Sequence, residues 1–419
     1  MRSFILNENE MNELAKRQPT PFLVLSVDKV AENYAFLRKH LPRAGIYYAI
    51  KANPHPRALE RLAALGSHFD VASAGEMEML HAAGVDGSRM IYANPVHDAR
   101  GFAAASRFGV KRFTFDDESE IPKLAAAAPG ADVLVRVQVH NGKALVDLNT
   151  KFGAPLGSAL PLLRKAEQAG LHAKGICFHV GSQSLSTAAY EEALLLVHHL
   201  FLEAEASGMH LTDLDIGGGF PIKNSLNFEY DYEYLTEEIV AQIKNICQRN
   251  GVEEPNIFTE FGSFTVGESG AALYSIVNQK QQNDRENWYM IDSSFITTLP
   301  DTWGINQRYI MLAVNNWDKE YQRVLLGGLT CDSEDFYNSE CHTSAIFLPK
   351  LEAGNTQYIG FFHTGAYQES LGGFGGIQHC LIPAPKHVII DRDKSDNEYY
   401  TRLFAKEQSY RSMLRILGY

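Results

Sequence analysis

Lys51 stands in the string Tyr-Tyr-Ala-Ile-Lys-Ala-Asn-Pro, residues 47–54, at the end of an apolar run and just before a turn. Burying an ammonium without a partner is costly. Two readings fit that string: a side chain that snorkels to water, or an amine kept neutral or covalently engaged, as in a Schiff base. Other reactive residues end comparable runs. Asp70 opens Asp-Val-Ala-Ser, Arg136 lies inside Asp132–Val139, and His179 stands in Cys-Phe-His-Val-Gly-Ser-Gln, three residues before Ser182. Gly217, Gly218 and Gly219 follow Asp-Leu-Asp-Ile, and Glu260 precedes Phe-Gly262-Ser263. Singly, each has a plain structural role. His179 reads as a packed core histidine, Asp70 as a cap for the helix after it, and the glycines as a tight turn. Together they change value. A Schiff-base lysine, a histidine to stack on a ring, a carboxylate for a pyridinium nitrogen and a glycine cradle for phosphate describe a pyridoxal phosphate site.

The elements that must position these residues follow from the pattern of the chain. Short apolar or β-branched runs cover Gly45–Lys51, His68–Ser73, Met90–Asn94, Arg112–Asp116, Asp132–Val139, Ala173–Val180, Asp213–Gly217 and Asn256–Glu260. Between them lie stretches of helical periodicity such as Pro56–Leu65, Gly75–Ala83, Ala99–Phe108 and Ala188–Ser207. Eight strands alternating with helices predict a (β/α)₈ TIM barrel over residues 28–270, whose active site gathers at the C-terminal strand ends. An open doubly wound sheet reads similarly. Beyond residue 270 β-type runs dominate: Ala272–Val277, Trp288–Ile291, Tyr309–Val314, Arg323–Leu329, Ser344–Leu348, Tyr358–Phe362, His379–Leu381 and His387–Ile390. With Pro21–Val27, they predict a β-sandwich or β-barrel domain of residues 1–27 plus 271–419, ending from about Arg392 in a surface helix.

The β-rich part carries two more strings. Thr330-Cys331-Asp332-Ser333-Glu334-Asp335 sets a free thiol beside a carboxylate, whereas structural cysteines favour apolar company. Gly365-Ala366-Tyr367 leaves room for a tyrosine hydroxyl. An acidic loop and an ordinary turn are the plain alternatives.

The chain has 419 residues and a formal net charge of −12. That balance argues against nucleic acid and against a polybasic membrane surface. The five cysteines show no metal-type spacing, so no metal is expected, and an odd count without a signal-peptide pattern points to a reduced, cytoplasmic protein. No apolar run reaches transmembrane length.

At this point the residues resemble a known family: the barrel-type pyridoxal phosphate-dependent decarboxylases of basic amino acids, related to diaminopimelate decarboxylase and, more distantly, alanine racemase. Tyr48–Asn53, Phe69–Glu76, Phe178–Gln183 and Asp215–Pro221 are similar to bacterial lysine/ornithine decarboxylases. Leu299–Trp303, Cys331–Asp335 and Gly360–Gly373 look more like proteins grouped with bacterial arginine decarboxylases. The resemblance implies that Lys51 carries the cofactor, with Asp70 near that lysine, Arg136 near the ring and His179 on the ring face. It further implies that Ser182 and Gly217 to Gly219 contact the phosphate, helped by Gly262, Ser263 and Tyr367, and that Glu260 meets the pyridinium nitrogen. A head-to-tail homodimer is implied, in which Cys331 is the proton donor in the other subunit's site and Asp332 grips the distal amine of the substrate. Two departures stand out. The family string Pro-Gly-Arg is here Phe261-Gly262-Ser263, which lacks a positive charge. Where ornithine enzymes carry an acidic substrate contact, this chain offers Asn306 and Gln307 beside Arg308.

The activity implied is decarboxylation of a basic L-amino acid, lysine or ornithine, to cadaverine or putrescine, a route to polyamines. Arginine stays open, and diaminopimelate is disfavoured by the sign of Asp332. A Schiff-base aldolase would not need Glu260 or the β domain. The intact set of Lys51, His179, Glu260 and Cys331 argues against a non-catalytic binder of pyridoxal phosphate or polyamine.

Overall fold

The computed structural model describes residues 6–142, 144, 146–251, 253–284, 286–337, 346–377, 379–393, 395 and 397–419. The chain divides into two compact units, Ala31–Ile222 with Glu229–Thr265, and Met1–Val30 with Lys223–Phe228 and Val266–Tyr419. The first strand of the chain, β1 (Phe22–Leu25), belongs to the second unit.

The first unit is a closed parallel barrel of β2 (Ala44–Ala49), β3 (His68–Val71), β4 (Met90–Tyr92), β5 (Arg112–Phe115), β6 (Asp132–Arg136), β7 (His172–Cys177), β8 (Asp213–Asp215) and β9 (Asn256–Thr259). Closure comes from β9 pairing back on β2, with Ala44 opposite Ile257. All eight expected strands are there, and each ladder stops short of its expected end, at Ala49 rather than Lys51 and at Cys177 rather than Val180. Residues at the rim keep strand-type composition while the backbone already leaves the ladder for the βα-loops. Tyr47, Ile91, Ala93, Leu134, Cys177 and Phe258 pack together as a buried apolar cluster. The helices begin where local chemistry dictates: His55 accepts from the Arg57 N–H ahead of Pro56–Ala64, and the Ser73 and Asp98 side chains cap Ala74–Ala82 and Ala99–Phe108.

The second unit is a sheet system of ten described strands. At its centre β1 pairs antiparallel with β10 (Gly270–Asn283) and parallel with β17 (Lys386–Arg392). The N-terminal strand therefore joins the C-terminal domain, as its composition led us to expect. The strands between are β11 (Glu286–Ile291), β12 (Ile310–Ala313), β13 (Tyr321–Gly327), β14 (Phe336–Tyr337), β15 (Ile346–Pro349) and β16 (Tyr358–Phe362). Of the expected run Ser344–Leu348, residues 344 and 345 lie outside the described residues, as does Cys341. Two expectations fail. His379–Leu381 is a turn in which Cys380 and Leu381 have φ of 52° and 51°. The stretch after Arg392 holds a strand, β18 (Tyr399–Ala405), before its helix Tyr410–Ile416. β18 pairs only with β17 among the described strands and is largely exposed on both faces, so no alternation of apolar residues marks it. The unpredicted helix Glu8–Arg17 packs Met11 and Leu14 against Phe22, Val24 and Val388. Among the described residues no helix is long and apolar enough to cross a membrane.

Candidate active site

Lys51 leaves β2 in the single turn Ile50–Ala52. That turn is braced from behind: Tyr48 donates its hydroxyl hydrogen to the Asn53 carbonyl at 2.8 Å, and Asn53 Oδ1 accepts the His55 N–H at 2.9 Å. Lys51 Nζ donates to Asp70 Oδ2 at 2.6 Å, with the lysine side chain 44% exposed and the aspartate 1% exposed. The lysine neither sinks into the core nor drifts to water. It is held at the barrel rim by a carboxylate from the next strand, since Ala49 lies opposite Asp70 in the ladder. Asp70 Oδ1 is buried without a hydrogen-bond partner among the described residues.

Deeper in, one layer is built by register. Arg136 lies opposite Cys177, and Cys177 opposite Asp215, on three adjacent strands. Beside them stands Glu260, one residue past β9, its N–H bonded to the Gly217 carbonyl at 2.8 Å. The Cys177 sulfur and the carboxylate oxygens of Asp215 and Glu260 lie within 4.8 Å of one another. Burial pushes Asp215 up to about 6, the Gly217 N–H opposing and Asp70 adding to the rise. Burial, then the charges of Asp215 and Asp70, holds Glu260 well above the usual carboxylate range. This carboxyl pair therefore retains a proton. Asp215 Oδ2 and Arg136 Nε are buried without partners among the described residues. Asp215 is the site residue that sequence reasoning missed. Its signal was present: a carboxylate near the end of an expected strand, two residues before Gly217.

His179 accepts the Gly181 N–H on Nδ1 at 2.9 Å, so that nitrogen carries no proton. Burial, then the cations Arg136 and Lys51, holds its pKa well below the ordinary imidazole value, and the ring is neutral. The glycine turn closes against it. A Cβ on Gly218 would stand 2.7 Å from the Glu260 carbonyl oxygen and 3.1 Å from His179 Nε2. Gly219, at φ 113°, would bring a Cβ within 2.5 Å of the Gly181 carbonyl oxygen. Only bare backbone fits there. The Tyr190 hydroxyl donates to the Gly218 carbonyl at 2.6 Å and fixes the turn. Ser182 spends its N–H on the Val146 carbonyl at 3.1 Å, leaving its hydroxyl as the group to offer. Gly262 packs against Ala49 and Ala52, and Ser263 opens the turn Ser263–Val266. The barrel unit thus brings together Lys51, Asp70, Arg136, His179, Glu260 and the glycines.

The remaining candidates belong to the β unit. Cys331 and Asp332 sit in a loop organised by Asp335, whose buried carboxylate accepts from the Phe295 N–H at 2.9 Å and from the Thr330 N–H and hydroxyl at 3.1 and 2.6 Å. Cys331 is exposed and Asp332 half-buried. Asn306 is exposed at φ 58°, its Oδ1 accepting from Arg308 at 2.8 Å. Tyr367 is half-buried at φ 68°, a left-handed conformation unusual for a bulky residue.

Comparison with known proteins gives a consistent result. Residues 27–267 match the family model for the pyridoxal-binding domain of pyridoxal-dependent decarboxylases. A lysine/ornithine decarboxylase of Selenomonas ruminantium is 54% identical over 355 residues, covering 85% of this chain and 87% of the relative. The crystal structure of SrLDC with PLP and cadaverine superposes with a TM-score of 0.80 at 47% identity, covering 90% of this chain and 94% of that one. The arginine decarboxylase of Paramecium bursaria Chlorella virus, bound to agmatine, gives a TM-score of 0.78 at 26% identity, over 87% and 96% of the two chains.

Proposed function

Because the chain belongs to the pyridoxal-dependent decarboxylase family, we propose that it removes the α-carboxyl group of L-lysine or L-ornithine, releasing cadaverine or putrescine. The observation that carries this reading is the Lys51–Asp70 pair at the barrel rim, facing a carboxyl pair and a glycine turn. The choice of lysine or ornithine over arginine rests on 54% identity across 85% of the chain, against 26% for the arginine enzyme.

The residues fit pyridoxal phosphate. Gly218 and Gly219 leave backbone where any side chain would collide. Three carboxyls, Asp70, Asp215 and Glu260, outnumber the cations Lys51 and Arg136, as a site for a proton-bearing ring nitrogen should. The cofactor, when bound, supplies a carbonyl for Schiff-base exchange between amines and a ring that accepts the electron pair left by the departing carboxylate.

The chain supplies the rest. Lys51 Nζ is the exchanging amine, and Asp70 holds it in place. Glu260, kept basic by burial and by Asp215, holds a proton on the ring nitrogen. Neutral His179 would lay its imidazole on the ring without repelling that cation. Arg136 would meet the ring, and Gly217 to Gly219, Ser182, Gly262 and Ser263 would hold the phosphate. Cys331 of a second copy of this chain delivers a proton to the α-carbon, and Asp332 beside it pairs with the distal ammonium of the substrate, with Asn306 nearby.

A product assay by mass spectrometry against L-lysine, L-ornithine, L-arginine and meso-diaminopimelate tests the reading. Cadaverine and putrescine should dominate. Agmatine as main product, or no amine from any substrate, overturns it. Asp332→Ala should raise KM for lysine by roughly tenfold or more, the loss of one charge-assisted bond, with a smaller effect on kcat.

A further inference from the structure

Cys331 does not stand by itself. Its sulfur lies 3.1 Å from the sulfur of Cys380, a residue far along the chain but in the same β unit, and both thiols are exposed. The Cys331 backbone N–H points at the Cys380 sulfur at 3.4 Å. His379 Nδ1 approaches the same sulfur at 3.1 Å, while its Nε2 faces Asp332 Oδ2 at 3.8 Å. The approach is built by the turn His379–Leu381, in which Cys380 and Leu381 are both left-handed and the Ile382 N–H closes on the His379 carbonyl at 3.1 Å.

We propose that Cys331 and Cys380 form a reversible intrachain disulfide that switches the enzyme off under peroxide stress, by withdrawing the thiol that protonates the product. The proposal rests on the role given above to Cys331. The two thiols are unequal in a useful way. The N–H and thiol of Cys331, with His379, favour the thiolate at Cys380, whereas Cys331 is held protonated by that neighbour. Cys380 is thus the better nucleophile.

The chemistry balances with hydrogen peroxide as oxidant. The Cys380 thiolate attacks one peroxide oxygen, the O–O bond breaks, and Cys380 sulfenic acid and hydroxide result. The Cys331 sulfur then attacks the sulfenic sulfur. The S–O bond breaks, the S–S bond forms, and the Cys331 proton leaves with the hydroxyl as water. Two thiol sulfurs are oxidised by one electron each, and peroxide is reduced to hydroxide and water. A dithiol reverses the step by exchange through a mixed disulfide. While the bond is closed Cys331 has no proton to give.

The test uses the holoenzyme. After a measured peroxide dose, peptide mapping under non-reducing conditions, with fragmentation to assign the linked sulfurs, should find Cys331 joined to Cys380 within one chain. Amine formation should fall by roughly tenfold or more, the scale of a lost general acid, and return with dithiothreitol. Cys380→Ser should match the parent when reduced and keep its turnover through the same dose. No Cys331–Cys380 cross-link overturns the inference while leaving the decarboxylase reading intact. A cross-link with undiminished turnover also overturns it. So does silencing by equimolar zinc with no cross-link after peroxide, which would make the cluster a metal site. Failure of the reduced enzyme to form any amine instead strikes the functional proposal.

Discussion

Lys51 offers the most direct residue-scale test. Its amine is proposed as the covalent anchor, so Lys51→Ala should abolish turnover and the visible absorbance of bound cofactor together. Retained turnover with lysine absent would remove it from the mechanism. Asp215 gives a second test that does not depend on catalysis. Its pKa in the folded chain is about 6, against an ordinary 3.8. A carboxyl raised in this way binds its proton more tightly when folded. Its contribution to stability is therefore full below about pH 4 and lost as pH rises through about 6. In protein stripped of cofactor, Asp215→Asn keeps an acceptor for the Gly217 N–H and removes the titration. The variant should be more stable than the parent at about pH 7 by on the order of 2 kcal/mol, with the gap closing toward about pH 4. Thermal melting across that range checks it, and a gap independent of pH would deny the buried proton. Lysine, histidine, glutamate and the glycines could be singled out from sequence because each is chemically odd beside an apolar run. Asp215 was hidden, since the glycines after it drew the reading.

At the scale of elements, the rim of the barrel is decided by close backbone packing. A methyl group on Gly218 would press on both the Glu260 carbonyl and His179 Nε2. Gly218→Ala should therefore weaken cofactor binding several-fold and cost about 1–3 kcal/mol in stability, the usual scale of overpacking. Cofactor titration by absorbance with parallel melting measures both, and an unchanged affinity would exclude the turn from the phosphate contact. The eight barrel strands were legible because buried parallel strands read as short apolar runs between helical stretches. Their ends were not, because propensity does not distinguish a ladder residue from a rim residue. β18 was illegible for the opposite reason: exposed on both faces, it carries no periodic signal.

At the scale of the whole molecule, we propose that each site is shared between two copies of the chain. Lys51→Ala and Cys331→Ala proteins should each be nearly inactive for amine release. Mixed and allowed to exchange subunits, they should recover up to about a quarter of parental activity, because half of the dimers are mixed and each has one intact site. No recovery would place both residues in one chain's site. The sequence by itself determined eight strands alternating with helices, the resemblance to the family and most of the reactive residues, since those depend on periodicity, on motifs and on side chains too costly to bury idly. Only the tertiary structure decided which of them meet. Lys51 finds Asp70 because adjacent strands bring Ala49 and Asp70 into register. Arg136, Cys177 and Asp215 form one layer because three ladders align. Cys331 meets Cys380 because a turn that the sequence suggested as a strand folds back on it. Such meetings depend on register and on loop return, which no local run of residues encodes.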